Sequence, residues 1–234
     1  MTSFIQYQLL NYVRSLRFIP ASTVFLCWIF ISYAYNNNPI LSSYAVSSIS
    51  LYLIMTWITM TLFTLEQESE KHMLFTHLGN KQAYLVGKWA ACLCFAIPLF
   101  LFAEFYPILT GNFEEAMSGT YYVISFYSHW ILGLFGILVG TIFSATRFAM
   151  KRYAWLSAML VLMISLASEK IADSFQLLKW PLLLFPPVLR ITSYLEGGAK
   201  TFLSSEFWLD TSFVIIYGVL GFTAATLLFL RTER

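Results

Sequence analysis

The sequence predicts an all-α protein threaded six times through a membrane, and three observations carry that prediction. Apolar residues make up 59% of the chain and charged residues only 11%, against about 25% charged in an ordinary soluble domain. The charges are also segregated, with none from Phe18 to Leu65 and none from Trp89 to Ala103. Between those runs lies one long polar segment, Leu65 to Lys88, holding Glu66, Glu68, Glu70, Lys71, Lys81, Lys88, His72 and His77. A soluble fold of 234 residues could not bury so much apolar surface, and a polar segment clamped between apolar runs belongs at a membrane surface. The chain reads as one membrane domain, residues 1–234.

Residues 2–19 predict an amphipathic helix lying along the membrane surface. Ile5, Leu9, Tyr12, Val13 and Leu16 recur at helical spacing, Gln8, Asn11, Arg14 and Ser15 fall on another face, and Arg14 and Arg17 suit the interface. Pro20 then breaks the helix, because it lacks an N–H and clashes with the preceding turn. No cleavable signal peptide is expected, since polar residues run throughout this start.

The first span is expected over 21–35 and the second over 43–65, separated by the uncharged turn Asn36-Asn37-Asn38-Pro39. The polar segment follows, with a helix over 66–82. A third span runs over 84–106, kinked at Pro98, and leads into a short acidic loop with Glu104, Glu114 and Glu115. The fourth span covers 121–146, and Arg147, Lys151 and Arg152 make a basic turn. The fifth begins at Tyr153 and loses its apolar character at Glu169. Residues 170–205 are too apolar for a solvated loop and too rich in proline (Pro181, Pro186, Pro187) for one helix. Short helices re-entering the outer face are expected there. The sixth span covers 209–230, with Arg231 and Arg234 beyond it.

Orientation follows from lysine and arginine. Arg14, Arg17, Lys71, Lys81, Lys88, Arg147, Lys151, Arg152, Arg231 and Arg234 fall on one side, and Lys170, Lys179, Arg190 and Lys200 on the other. The richer side, with both termini and the Leu65–Lys88 segment, is placed in the cytoplasm.

No catalytic constellation emerges. The chain has no G-x-x-x-x-G-K-[ST] phosphate loop, no G-x-S-x-G and no H-E-x-x-H. It is therefore read as a non-enzyme with no ATPase, metal or cofactor of its own, and no nucleic-acid partner is expected. Cys27, Cys92 and Cys94 lie in apolar runs and read as buried small hydrophobes. His72 and His77 are five apart, so they do not share a helix face as a metal pair would. Glu66 and Glu70 do share one, either as a solvated helix start or as a contact for basic residues of a partner. His129, deep in the fourth span, is either a functional intramembrane group on a translocation path or a neutral imidazole bonded between helices. Glu169 and Asp173 face a vestibule or the interface. Gly133, Gly136, Gly140 and Ser144 line one face of the fourth span, and Gly218, Gly221 and Ala225 one face of the sixth, which favours close helix approach.

The order of these elements resembles the membrane subunit of ABC-2 type (type V exporter) ABC transporters, compact six-span members of which export bacteriocins and other peptides. The segment after the second span looks like the family's coupling helix: Glu66 at its acidic position, Leu74 and Leu78 at its apolar ones, and Gly87-Lys88 entering the third span. Gly79-Asn80-Lys81 replaces the usual proline turn. Pro186, Pro187 and Tyr194-Leu195-Glu196-Gly197 look like the string after the re-entrant segment. The resemblance implies a cell-membrane permease, homo- or heterodimeric, docked on two copies of a separate subunit that binds ATP and Mg. Glu66, Glu70, Leu74, Leu78, Gly79 and Lys81 would couple to that subunit. The cargo would be an amphipathic or hydrophobic peptide, with export of it or immunity to it as the outcome; multidrug or lipid-linked export, or a secondary transporter, are the alternatives.

Overall fold

The computed structural model describes residues 1–146, 153–196 and 204–233, without the side chains of Glu169, Asp173, Gln176 and Glu196. The basic turn Arg147–Arg152, Gly197, Lys200, Arg234 and the side chains of Glu169 and Asp173 thus lie outside the described residues. Among the described residues the chain is all helix: α1 (Thr2–Ser15), α2 (Phe18–Ser32), α3 (Ile40–Phe63), α4 (Glu68–Leu78), α5 (Lys81–Leu109), α6 (Gly119–Ala145), α7 (Ala154–Ser174), α8 (Lys179–Leu182), α9 (Val188–Glu196) and α10 (Ser205–Thr232), with a 3-10 turn at Gln176–Leu178. Four of them, α3, α5, α6 and α10, are long and apolar enough to cross a membrane, and α1 with α2 passes the same test as one bent pair. The chain is a multi-pass membrane protein on that count. In α7 the apolar part, Ala154–Ser168, is shorter than those four.

The first corner differs from the sequence reading. Pro20 does not break a helix; it sits in the first turn of α2, where its missing N–H costs nothing. The break is at Leu16, which takes a left-handed φ of 56°, and α1 meets α2 at 78°. Arg17 holds the corner by donating from Nη1 to the Thr64 carbonyl at 3.2 Å; Arg14 is exposed. The face of α1 turned to the protein is Phe4, Gln8 and Tyr12, whereas Val13 and Leu16 are exposed.

The core is built on α3 against α6. A Cβ on Gly136 would lie 2.6 Å from the Tyr52 carbonyl oxygen, and one on Gly140 would lie 2.9 Å from that of Thr56. The predicted small-residue stripe is thus the seam that lets two backbones touch. α5 lies beside this pair and runs without interruption through Pro98 and Pro107. Helices α7 and α10 keep much of their apolar surface outward, including Leu156, Leu160, Met163, Ile216 and Leu220. That surface belongs in lipid or against another transmembrane chain. Of the three cysteines only Cys92 is buried; Cys27 and Cys94 point outward.

Candidate functional site

The polar segment folds into a strut across one end of the bundle. α4 starts with Glu68 and Glu70 in its first turn and has His77 in its last, which matches the helix dipole at both ends. Gly79 ends it in a left-handed conformation, φ 67°. Asn80 then caps α5, its side chain accepting from the Gln82 N–H at 2.8 Å. The helix predicted over 66–82 is therefore shorter: Glu66 lies in the connection before it, and Lys81 is the first residue of α5.

The strut has two faces. Phe75 is buried and Glu70, Lys71, Leu74 and Leu78 are half-buried, while Ser69, His72, Met73, Thr76 and His77 are exposed. Phe75 meets Tyr84 edge-on at 4.9 Å and Phe229 of α10 at 6.1 Å, and Leu74 and Leu78 join the same apolar cluster with Phe4 and Leu85.

Beneath the strut is a buried ion pair. Lys88 Nζ lies 3.0 Å from Glu66 Oε1, with the two side chains 0% and 1% exposed. Lys88 also donates to the Leu62 carbonyl at 3.0 Å. Gln8 Nε2 donates to Glu66 Oε1 and Tyr84 Oη to Oε2. One carboxylate thus ties α1, the end of α3 and α5 together. Further out, Tyr7 donates to Glu70, which with partial burial pushes the Tyr7 hydroxyl up to about 12. Lys71 pairs with Glu233, and Lys81 Nζ donates to the Glu233 carbonyl at 2.6 Å. The C-terminal end of α10 is latched to the strut.

This placement changes the reading of the coupling residues. Glu66 presents no side-chain surface to a partner, and Leu74 and Leu78 point into the bundle, because each satisfies contacts from elements distant in sequence. The surface α4 offers is the opposite stripe, centred on Met73 at 69% exposure. Gly79 stands exposed at the corner and Lys81 is half-buried.

A second buried polar cluster occupies the far end of the bundle. Glu104 is not in a loop; it lies in α5, and its Oε1 is 3.0 Å from His129 Nδ1, with side-chain exposures of 6% and 0%. Ser125 Oγ donates to the same oxygen at 2.6 Å, and Tyr44 Oη to the Glu104 carbonyl at 3.0 Å. Nδ1 also faces the Ser125 carbonyl at 2.9 Å, so both its neighbours are acceptors and it carries a proton. Nε2 lies 2.8 Å from Ser47 Oγ, which also reaches the Tyr44 carbonyl at 3.1 Å. Ser47 can donate to a neutral ring, or turn to Tyr44 and accept from a charged one. His129 is enclosed by α3, α5 and α6, and it lines neither the cavity beside Trp180 and Phe213 nor the one beside Pro39 and Leu195.

Gln8, Tyr84, Glu104 and Glu233 were not singled out from the sequence. Glu104 did carry a signal, since a glutamate in the last turns of an apolar run needs a partner at that depth. No group of three or more metal-ligating side chains occurs among the described residues. Comparisons with protein-family models, with characterised proteins and with solved structures find no match to this chain.

Proposed function

We propose that this chain is the transmembrane permease subunit of an ATP-driven exporter of the ABC-2 type. It sits in the cell (cytoplasmic) membrane with both termini and α4 on the cytoplasmic side, as the distribution of lysine and arginine favours. Its spans are α2, α3, α5, α6, α7 and α10; α1 is the interface helix, and the 3-10 turn with α8 and α9 is the re-entrant segment. Two permeases, identical or different, pair in the lipid, and two separate ATP-binding subunits dock beneath them and hold ATP and Mg. The cargo is an amphipathic or hydrophobic peptide.

The observation that carries this reading is the construction of α4. Its inward face is bonded to α1, α5 and α10, and its outward stripe of Ser69, His72, Met73, Thr76 and His77 is left for a partner. A strut so attached transmits a push from a docked subunit to several membrane helices at once. ATP favours one conformation only so far as the docked subunits bind it better. The test is co-expression with a span-less ATP-binding protein encoded beside this chain, co-purification, and ATPase and export assays in vesicles. Co-purification with export that needs ATP supports the reading; a chain that binds no nucleotide-binding subunit and transports without ATP overturns it.

The Glu104–His129 pair favours one second reading, a proton-coupled secondary transporter, because an ionisable pair at depth is what a proton relay uses. Transport driven by a proton gradient and abolished in His129→Gln would select it.

A further inference from the structure

At the end of the bundle away from α4, the C-terminal part of α7, the segment of α8 and α9, and α10 line an open cavity of about 640 Å³. That falls in the range of about 300–1,000 Å³ typical of sites for small organic ligands. Its walls are fixed by side chain to backbone bonds: Ser165 Oγ donates to the Pro186 carbonyl at 2.7 Å, and Tyr217 Oη to that of Leu184 at 2.7 Å. Trp180, Leu183, Phe185, Leu189 and Phe213 make its lining apolar. Two cations join that lining, Lys179 and Arg190. Arg190 stacks over the Phe213 ring at 4.4 Å and shares Asp210 with Tyr194, whose hydroxyl donates to the other carboxylate oxygen at 2.6 Å. Lys179 has no ion-pair partner among the described residues and is exposed. Trp180 and Leu184, each 81% exposed, stand beside it.

Among the described side chains, an apolar pocket with two cations and one shared carboxylate matches an amphipath with an anionic head. We propose that this cavity binds an anionic phospholipid of the outer leaflet, its phosphate against Lys179 and Arg190 and the start of an acyl chain along Trp180, Phe185 and Phe213. The occupant is a phospholipid because the cavity opens beside Trp180 and Leu184, exposed apolar side chains at the level where a bilayer would meet the chain, so the surrounding lipid itself supplies an amphipath of this chemistry. The leaflet rests on the orientation proposed above; the inference does not depend on what the chain exports.

Native mass spectrometry of the full chain, released from micelles doped with dioleoyl phosphatidylglycerol or dioleoyl phosphatidylcholine, tests it. The wild type should retain one phosphatidylglycerol in preference to phosphatidylcholine. Lys179→Gln, at an exposed position that leaves the fold alone, should weaken that retention about fivefold, the equivalent of about 1 kcal/mol for one cation near the bilayer surface. Ala172→Phe, which fills the cavity without touching a charge, should abolish it. Equal retention of the two lipids, or Lys179→Gln indistinguishable from wild type, would overturn the proposal. Displacement of the lipid by millimolar glycerol 3-phosphate would also overturn it, by assigning the site to a free anion.

Discussion

Replacing Glu66 with glutamine keeps the shape of the side chain and removes its charge. The structure sets the cost. Glu66 and Lys88 are sealed together at 3.0 Å, and among the described residues the Lys88 ammonium has one further acceptor, the Leu62 carbonyl. Breaking a buried pair by neutralising one partner costs about 3–5 kcal/mol, because the remaining charge stays desolvated. At about 2–4 °C per kcal/mol for a chain of this size, Glu66→Gln should lower the melting temperature by about 6–20 °C. Lys88→Met should do much the same, leaving the carboxylate with the neutral donors Gln8 and Tyr84. The double variant should be more stable than either single one, since a buried pair replaced by neutral groups of like volume is close to neutral overall. The coupling is therefore larger than one single loss, more than about 3–5 kcal/mol, and opposite in sign to the single losses. Thermal unfolding of the four proteins in one detergent, followed by fluorescence-detected size exclusion, measures all of this. Two single variants that melt within about 2 °C of wild type, or a double loss equal to the sum of the single losses, would refute the reasoning. A charge reversal at Glu66 therefore reports on folding, not on docking as its sequence position suggested.

The other predictions address separate parts of the molecule. Glu104→Gln should destabilise by about 3–5 kcal/mol if His129 is charged, and by about 1 kcal/mol if the ring is neutral; the same melting assay, with His129→Gln alongside, separates the two. Gly136→Leu should cost about 1–3 kcal/mol or more by forcing the seam apart at the Tyr52 carbonyl, and should lower the melting temperature without altering helix content by circular dichroism. Met73→Glu, on the exposed stripe of α4, should leave melting unchanged and abolish co-purification of an ATP-binding subunit. The Tyr7 hydroxyl is raised above its ordinary value by its bond to Glu70. That contact is therefore complete below about pH 10 and lost as pH rises through about 12; the melting difference between wild type and Tyr7→Phe should be constant to pH 10 and then close.

Hydrophobic runs account for four of the spans, since α3, α5, α6 and α10 lie within a few residues of where the apolar stretches put them. Gly136 and Gly140 announced the α3–α6 seam for a similar reason: close backbone approach needs small residues in any context. What failed was orientation about the helix axis. Gln8 looked like the polar side of α1, yet it is fully buried because a carboxylate waits beneath it. The resemblance puts Leu74 and Leu78 at the apolar positions of a coupling helix, and in the structure both close on the cluster of Phe4 and Phe229. Glu104 reads as a loop residue in the sequence because its partner His129 is on another helix. In each case the deciding contact joins residues far apart in sequence, and no local periodicity records it.

The Glu66–Lys88 ion pair and the Glu104–His129 contact acquire a joint meaning from their positions on α5. Lys88 is near its first turns and Glu104 near its last, 16 residues apart, so about 24 Å of one continuous helix separates them. Ala91, Cys92, Ala96, Leu99, Phe100 and Ala103 are buried between them, pressing the helix against the core along its length. The Lys88 end is bonded to the segment that leads into α4, and the Glu104 end is bonded to α6 through Ser125 and His129 and to α3 through Tyr44. Each pair resists slippage, because sliding would strand Glu66 and Lys88 as desolvated ions at one end and would strip the buried Glu104 carboxyl and His129 ring of their hydrogen-bond partners at the other. α5 is thus held as a rod with both ends pinned. Within the exporter reading, a displacement of α4 would reach the far ends of α3 and α6 by rigid translation of this rod, with no need for bending at Pro98. The same geometry assigns different outcomes to its two ends: loosening Lys88 would detach the rod from α4, and loosening Glu104 would leave it attached to α4 but idle. Transport assays on Glu66→Gln/Lys88→Met and on Glu104→Gln/His129→Gln, both scored beside ATP hydrolysis, should therefore show lost stimulation of hydrolysis by the permease in the first and hydrolysis without export in the second.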